Sequence, residues 1–239
     1  MSIAVGATTA QTPATKNYGA LKRYVASWVH GANLPRVLTD AGIAINATID
    51  MLNMETWMFL RKTHSITPTA DDDTFDIPQD FDKPNALILL DSNGRPRRRI
   101  GYLDPKNFED EFTYSPSSTH PTAYTVHNPS DELVLTMNHK VSQGFIDQYP
   151  TWRLRYFARL LHLAGNSETM ADIGATAEVW TILGWGGRME LAGIRGGDVQ
   201  TCERMLYGSP GGRNIGLLNK LRRKEATPFT DLDDAHVAT

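Results

Sequence analysis

Apolar residues recur with helical spacing at both ends of the chain and with strand-like spacing in the middle. Tyr18, Leu21, Val25 and Trp28, reinforced by Tyr24 and Val29, follow the 3-4-3 spacing of one helical face. Gly31 stands where a helix end favours a left-handed residue. Asn33-Leu34-Pro35 restarts a helix, because the N–H that proline lacks would be unbonded in a first turn anyway. Leu38, Ala41, Ile45, Ile49, Leu52 and Phe59 carry its stripe to about Lys62, which predicts a rod of roughly 40 Å.

From His64 to about Gly144 the pattern shortens. His64-Ser-Ile-Thr and Thr74-Phe-Asp-Ile-Pro78 flank an acidic loop and predict a hairpin. Ala86–Leu90 is a continuous apolar run, the signature of a strand buried on both faces. Asp91-Ser-Asn-Gly94 predicts a tight turn into Arg97–Leu103. Asp104–Phe112 predicts a short helix. Ala123–His127 and Glu132–Met137 predict a second hairpin, and Trp152-Arg-Leu-Arg-Tyr156 alternates as a last half-buried strand. Helical spacing returns after Asn166 through Ile173, Ala177, Trp180 and Leu183. A further helix starts near Asp198, whose carboxylate suits an N-cap. After the Gly208-Ser-Pro-Gly-Gly212 break, Ile215–Lys224 resumes with a basic end.

These elements predict an α+β fold: a mainly α-helical bundle (a long N-terminal helix pair plus C-terminal helices) carrying an inserted antiparallel β-rich subdomain. The expected divisions are a loose arm over 1–16, a bundle over 17–62 and 157–225, a β-rich insertion over 63–156, and an acidic tail over 226–239.

Composition narrows the function classes. The 239 residues carry 24 Lys+Arg against 27 Asp+Glu, a net charge of −3 that argues against a strongly electrostatic nucleic-acid binder while leaving room for a local patch. No apolar run approaches the 18 or so residues of a membrane span, and no membrane partner is expected. The first ten residues have neither a basic n-region nor an apolar h-region, which argues against a signal peptide. The single cysteine, Cys202, permits no internal disulfide and suits a reducing cytosol.

Catalytic signals are sparse. None of the phosphate-loop, dinucleotide, zinc-protease or nucleophile-elbow motifs occurs. Gly184-Trp-Gly-Gly187 and Gly208–Gly212 lack the preceding strand that a phosphate cradle needs and suit close helix approach or chain breaks. Asp71-Asp72-Asp73 with Asp76 lacks the glycine and glutamate of a calcium loop and suits a solvated turn. The seven histidines are scattered, and Cys202 suits a buried structural thiol. Neither enzymatic activity, a cofactor nor a metal is expected. The strongest charge feature is Arg95-Pro-Arg97-Arg98-Arg99. It suits either a solvated edge strand guarded by charge or an arginine surface meeting an acidic protein or DNA backbone. Lys220, Arg222, Arg223 and Lys224 form a second basic cluster with the same two readings.

The order of elements is more specific than any one motif. A Trp28-bearing helix precedes a long helix ending in Trp57-Met-Phe-Leu. A hairpin closing on Phe75-Asp-Ile-Pro78-x-Asp80-Phe81 follows, then Asp91-Ser-Asn-Gly94, Ile100-Gly-Tyr-Leu-Asp-Pro105-x-x-Phe108, Ala123-Tyr-Thr-Val126, Leu133-Val-Leu135 and Leu154-Arg-Tyr-Phe157. Over about residues 18–225 this arrangement resembles the head-to-tail connector (adaptor, or head-completion) proteins of tailed double-stranded DNA bacteriophages. The resemblance implies a structural virion protein, made in the bacterial host cytoplasm, forming a ring of about 12 copies between the portal and the tail or neck proteins. Double-stranded DNA would pass through the lumen. It further implies portal docking through the C-terminal segment, about Arg213–Thr239. Arg97, Arg98, Arg99, Arg213, Lys220, Arg222, Arg223 and Lys224 are the candidate interface residues. The alternatives are another neck or tail-terminator protein, and then a soluble enzyme or regulator.

Overall fold

The computed structural model describes residues 16–112, 120–127, 133–209 and 215–225. In chain order the elements are α1 (Tyr18–Ala26), α2 (Pro35–Asn53), a 3-10 turn (Met58–Leu60), β1 (Arg61–Ile66), β2 (Thr74–Asp76), β3 (Phe81–Leu90), β4 (Pro96–Tyr102) and α3 (Pro105–Phe112). They continue with β5 (Ala123–His127), β6 (Val134–Met137), α4 (Gln143–Gln148), β7 (Thr151–Ala158), α5 (Ala177–Arg195), α6 (Val199–Tyr207) and α7 (Leu217–Glu225). Among the described residues the chain forms two compact units. One contains the residues up to Leu52 with Leu161–Leu221, the other Asn53–Leu160 with the chain from Arg222.

The first unit is helical. Asn17 caps α1 by accepting the Ala20 N–H at 2.9 Å, and Asp198 caps α6 by accepting the Thr201 N–H at 3.0 Å. Leu21, Val25, Ile45, Ile49 and Leu183 are buried, as their helical spacing predicts; in α5, however, the buried face runs through Val179, while Ala177 of the expected stripe is exposed. A Cβ added at Gly186 would lie 2.2 Å from Thr48 Cγ2, so glycine is what lets α2 and α5 come this close. Asn46 binds the main chain of Leu163 both ways, donating to its carbonyl at 3.1 Å and accepting from its N–H at 3.0 Å.

The second unit is built on one seven-stranded sheet, in the order β1-β7-β3-β4-β5-β6-β2. All neighbours pair antiparallel except β4 and β5, which are parallel. One face carries the core: Leu87 and Leu89, Trp152 and Leu154, Ile100, Tyr124, Leu135 and Phe75, closed by Phe145 of α4. Phe75 and Phe145 both meet the Trp152 ring edge-on, at 5.0 and 6.3 Å. At roughly 1.5–3 kcal/mol for each large apolar side chain, this face is the main source of the unit's stability.

The structure corrects several expectations. The fold is mixed α/β, organised in this unit by one mixed sheet. It is not a mainly α-helical bundle carrying an inserted antiparallel subdomain. Periodicity shows which segments are extended but not which partner each one finds. The hairpin expected between His64 and Pro78 does not form: β1 pairs with β7, and β2 with β6. The backbone of the acidic loop is held by another segment. The Asp71 N–H donates to the Val141 carbonyl, the Val141 N–H to the Asp72 carbonyl and the Met137 N–H to the Asp73 carbonyl, at 2.8–2.9 Å. Trp152–Tyr156 is the strand expected, but more than half-buried. It lies in β7 between β1 and β3, with Arg155 itself buried. α2 ends at Asn53, short of Lys62, and is about 28 Å long at 1.5 Å per residue. Asn53 Nδ2 donates to the Leu160 carbonyl and its Oδ1 accepts the Leu160 N–H, and Trp57 is extended. At the β3–β4 turn only Gly94 takes a positive φ (73°), so Asn93-Gly94 closes through a glycine bulge and not a two-residue turn with both residues left-handed.

Candidate functional site

Strand register sorts the basic run. Arg99 lies opposite Ile88, and Arg98 opposite Leu89 of the core face. Arg99 therefore projects on the outer side of the sheet and Arg98 on the core side, while Arg97 falls at the register shift between Leu89 and Leu90 and is exposed. β4 pairs with β5 only at Gly101 and Tyr102, so the arginine stretch has β3 as its one named partner strand. Arg97 Nε donates to Asp91 Oδ2 at 2.8 Å, and Arg99 Nη2 to the Asn85 carbonyl at 3.0 Å. Asp91 also accepts N–H bonds from Asn93 and Arg95 at 2.9 Å each. The Arg95 and Arg97 bonds hold its carboxyl below the usual carboxylate range. This turn is thus pinned by one carboxylate.

The same register brings in residues that the basic run alone does not reveal. Arg153 lies opposite Ile88 and Arg155 opposite Ala86, on the other flank of β3. Arg61 of β1 follows, level with Phe157 of β7. Across β1, β7, β3 and β4, the outer face carries Arg61, Arg153, the buried Arg155 and Arg99 around a buried strip of Ala86, Ile88 and Leu90. The acids of this region are Asp82, exposed in β3 where its register with β7 shifts, and Asp91, which binds Arg97. The arginine–leucine alternation in Trp152–Tyr156 was the available signal. What it lacked was the knowledge that β3 brings β7 beside β4.

Further along the face the chemistry changes. β5, β6 and β2 place Thr125, Thr136 and Thr74 in one row, with Asp76 beyond. Asp71, Asp72 and Asp73 precede this edge strand.

The C-terminal cluster is arranged differently. Arg222 binds Glu55 through both Nε, at 2.9 Å, and Nη2. Glu225 Oε2 accepts the Phe59 N–H at 2.9 Å. Lys220, Arg223 and Lys224 are exposed on α7, and Arg213 lies outside the described residues. The structure therefore brings Arg99 onto one sheet face with Arg153 and Arg155, while Arg97 and Arg222 each serve an intramolecular pair.

Among the described residues no group of three His, Cys, Asp or Glu could hold a metal ion, and no helix is long and apolar enough to cross a membrane. Cys202 is buried, and burial pushes its thiol up to about 11, the reverse of an activated nucleophile. A pocket of about 210 Å³ in the helical unit is lined by Asn17, Gly19, Lys22, Arg23, Leu38 and Asn166, which supply no nucleophile–base pair.

Comparison with curated proteins finds no match. A family model described as SU10 adaptor protein matches residues 16–183, well over half of the chain. The matched stretch includes the basic sheet face and the turn pinned by Asp91. On that match the chain belongs to the SU10 adaptor protein family, phage structural proteins of the adaptor type.

Proposed function

We propose that this chain is one subunit of a ring of about twelve copies that joins the portal of a tailed phage head to its tail or neck proteins, with double-stranded DNA passing through the lumen. The observation that carries the reading is the family match over residues 16–183. It makes the protein a virion component with a structural role. Two features of the chain support a ring. One sheet presents a basic face at one end and carboxylates at the other, and such a surface suits heterologous contacts that repeat until they close. α7, with its exposed basic residues, lies within the C-terminal segment, about Arg213–Thr239, through which the subunit docks to the portal. Lys220, Arg223 and Lys224 are the described residues best placed to take part.

The test is co-expression with the portal protein of the same phage. Native mass spectrometry and negative-stain microscopy should find a ring of about twelve copies, alone or bound to the portal. A chain that stays monomeric both alone and with portal overturns the reading.

A further inference from the structure

We propose that the cavity between α1, α2 and the Asn166 turn is a binding site for a phosphate group, held by Lys22, Arg23, Asn17 and Asn166. The inference stands apart from the ring reading above, and its test can fail without touching that reading.

Sequence and helix geometry assemble the site. The first 39 residues contain Lys16, Lys22, Arg23 and Arg36 and no Asp or Glu. Gly19, Lys22 and Arg23 stand at i, i+3 and i+4 of α1, so one helix face presents two cations beside a position with no side chain. With the cap residue Asn17, Leu38 of α2 and Asn166, that face borders a pocket of about 210 Å³. Gly19 lets the Asn166 turn come close. Its N–H donates to the Asn166 carbonyl at 2.9 Å, and a Cβ there would lie 3.2 Å from that oxygen.

The lining offers donors and no acid. None of the six lining residues is Asp or Glu. The Asn17 side-chain oxygen accepts the Ala20 N–H at 2.9 Å, which leaves its amide NH2 to donate. Among the described residues the Arg23 guanidinium and the Asn166 carboxamide make no hydrogen bond or ion pair. Lys22 is already positioned: its stem passes 3.4 Å from where a Cβ on Gly42 would stand, and its ammonium lies 4.5 Å from the Tyr18 ring centre. The ring attracts that charge without neutralising it. Two carboxylates on the flanking segments are engaged elsewhere. Glu168 Oε2 accepts the Ala164 N–H at 2.6 Å, and Asp40 Oδ2 is bound by Arg195. The first N–H groups of α1 are also taken, by the Glu168 and Asn166 carbonyls and Asn17 Oδ1, so the site rests on side chains and not on a helix end.

Donors arrive from α1, from its cap and from the Asn166 turn. That spread suits a tetrahedral group with several acceptor oxygens better than a planar carboxylate. The groups line a concavity, so the fitting sources are free phosphate and a terminal phosphate monoester. A duplex backbone carries its phosphates along a ridge and fits less well.

The experiment titrates the full-length chain with inorganic phosphate, and separately with adenosine monophosphate, by isothermal titration calorimetry alongside thermal melts. Each chain should take up one phosphate, and the melting temperature should climb with ligand concentration. Equal affinity for the two probes identifies the phosphate group alone as the ligand; tighter binding of the nucleotide identifies a monoester that also uses the Leu38 wall. Lys22→Met, which keeps the stem, and Arg23→Gln should each bind about tenfold more weakly or worse, while melting as wild type does in ligand-free buffer. Asn166→Asp keeps the shape and the main-chain bond to Gly19 but adds a carboxylate, and should abolish binding. Arg36→Gln removes an exposed charge outside the lining and should bind as wild type does.

No saturable binding by wild type, or unchanged binding in both Lys22→Met and Arg23→Gln, overturns the site. A loss in Arg36→Gln equal to theirs overturns it in favour of diffuse charge attraction. Acetate binding as tight as phosphate binding overturns the phosphate assignment in favour of an acidic side chain. Duplex DNA binding that the same variants lose, with no phosphate binding by wild type, overturns it in favour of a backbone contact.

Discussion

The guanidinium carbon of Arg188 lies 3.5 Å from the centre of the Tyr24 ring, while its Nε and Nη2 donate to the carbonyl of the same tyrosine at 3.2 and 3.0 Å. Trp185 and Trp28 place their rings 4.8 and 5.0 Å from that carbon, and Ser27 Oγ accepts a third bond at 3.3 Å. Arg188 is 8% exposed, and among the described residues no carboxylate pairs with it. A buried cation is normally expensive. Here ring faces, a carbonyl and a hydroxyl replace the water it gives up, and α1 is tied to α5 in return.

Replacing Arg188 should therefore cost more than a surface arginine. Arg188→Ala should lower unfolding free energy by about 2–4 kcal/mol, the sum of charge-assisted bonds and cation–π contact. Arg188→Lys keeps the charge but loses the planar fork, and should forfeit at least half of that. Urea unfolding followed by tryptophan fluorescence measures both. A lysine variant as stable as wild type contradicts the stacked-fork account.

Gly186→Ala sets two effects against each other. Alanine gains about 1 kcal/mol of helix propensity over glycine. Its Cβ, however, meets Thr48 Cγ2 at 2.2 Å, Oγ1 at 2.7 Å and Cβ at 3.1 Å, so turning the threonine only exchanges one clash for another. Overpacking of this kind costs about 1–3 kcal/mol, and the net effect should be destabilising. Thr48→Ala in the same chain should recover much of the loss. A double-mutant cycle with a coupling under about 0.5 kcal/mol would show that the helices had separated instead.

Local chemistry was largely legible in the sequence. Pro35 starts α2, Asp198 caps α6, Gly94 takes the left-handed position, and Ala86–Leu90 is buried on both faces. Long-range pairing was not. The acidic loop between β1 and β2 reads as a hairpin tip until Val141, some seventy residues later, is seen holding its backbone. Likewise Arg97–Arg99 stood out as a run, while Arg153 and Arg155 passed as ordinary alternation. They belong to one surface only because β3 lies between their strands. Side-chain alternation fixes faces within a strand, and non-local hydrogen bonding decides which faces meet.

The Glu55–Arg222 pair makes the end of α7 sensitive to acid. The bond from Arg222, opposed by some desolvation, holds the Glu55 carboxyl below its ordinary value. A group with a depressed folded-state pKa stabilises above its unfolded value, and that contribution is lost as pH falls through the folded one. The Arg222 and Glu55 side chains are 43% and 36% exposed, so solvent screening limits the pair to about 0–1 kcal/mol. Hydrogen exchange of the Arg222–Glu225 amides should speed up between about pH 6 and pH 3, after correction for intrinsic rates. Arg222→Met should remove that extra acceleration. Equal pH dependence in both chains would show that another group controls the helix end.

Two truncations differing by one residue separate folding from docking. Glu225 Oε2 accepts the Phe59 N–H at 2.9 Å, next to Trp57, which is buried. Ending the chain after Glu225 keeps that acceptor, and the melting temperature should stay within about a degree of wild type. Ending it after Lys224 leaves a partly buried N–H without its partner, which should cost about 0.5–1.5 kcal/mol. If the C-terminal segment docks to the portal, both truncations should bind portal more weakly, and by similar factors, despite their different stabilities. Thermal melts and portal binding by surface plasmon resonance, run on the same preparations, make the comparison. Portal affinity that follows stability instead of the loss of residues 226–239 would mean that docking depends on the Glu225 anchor and not on the segment beyond it.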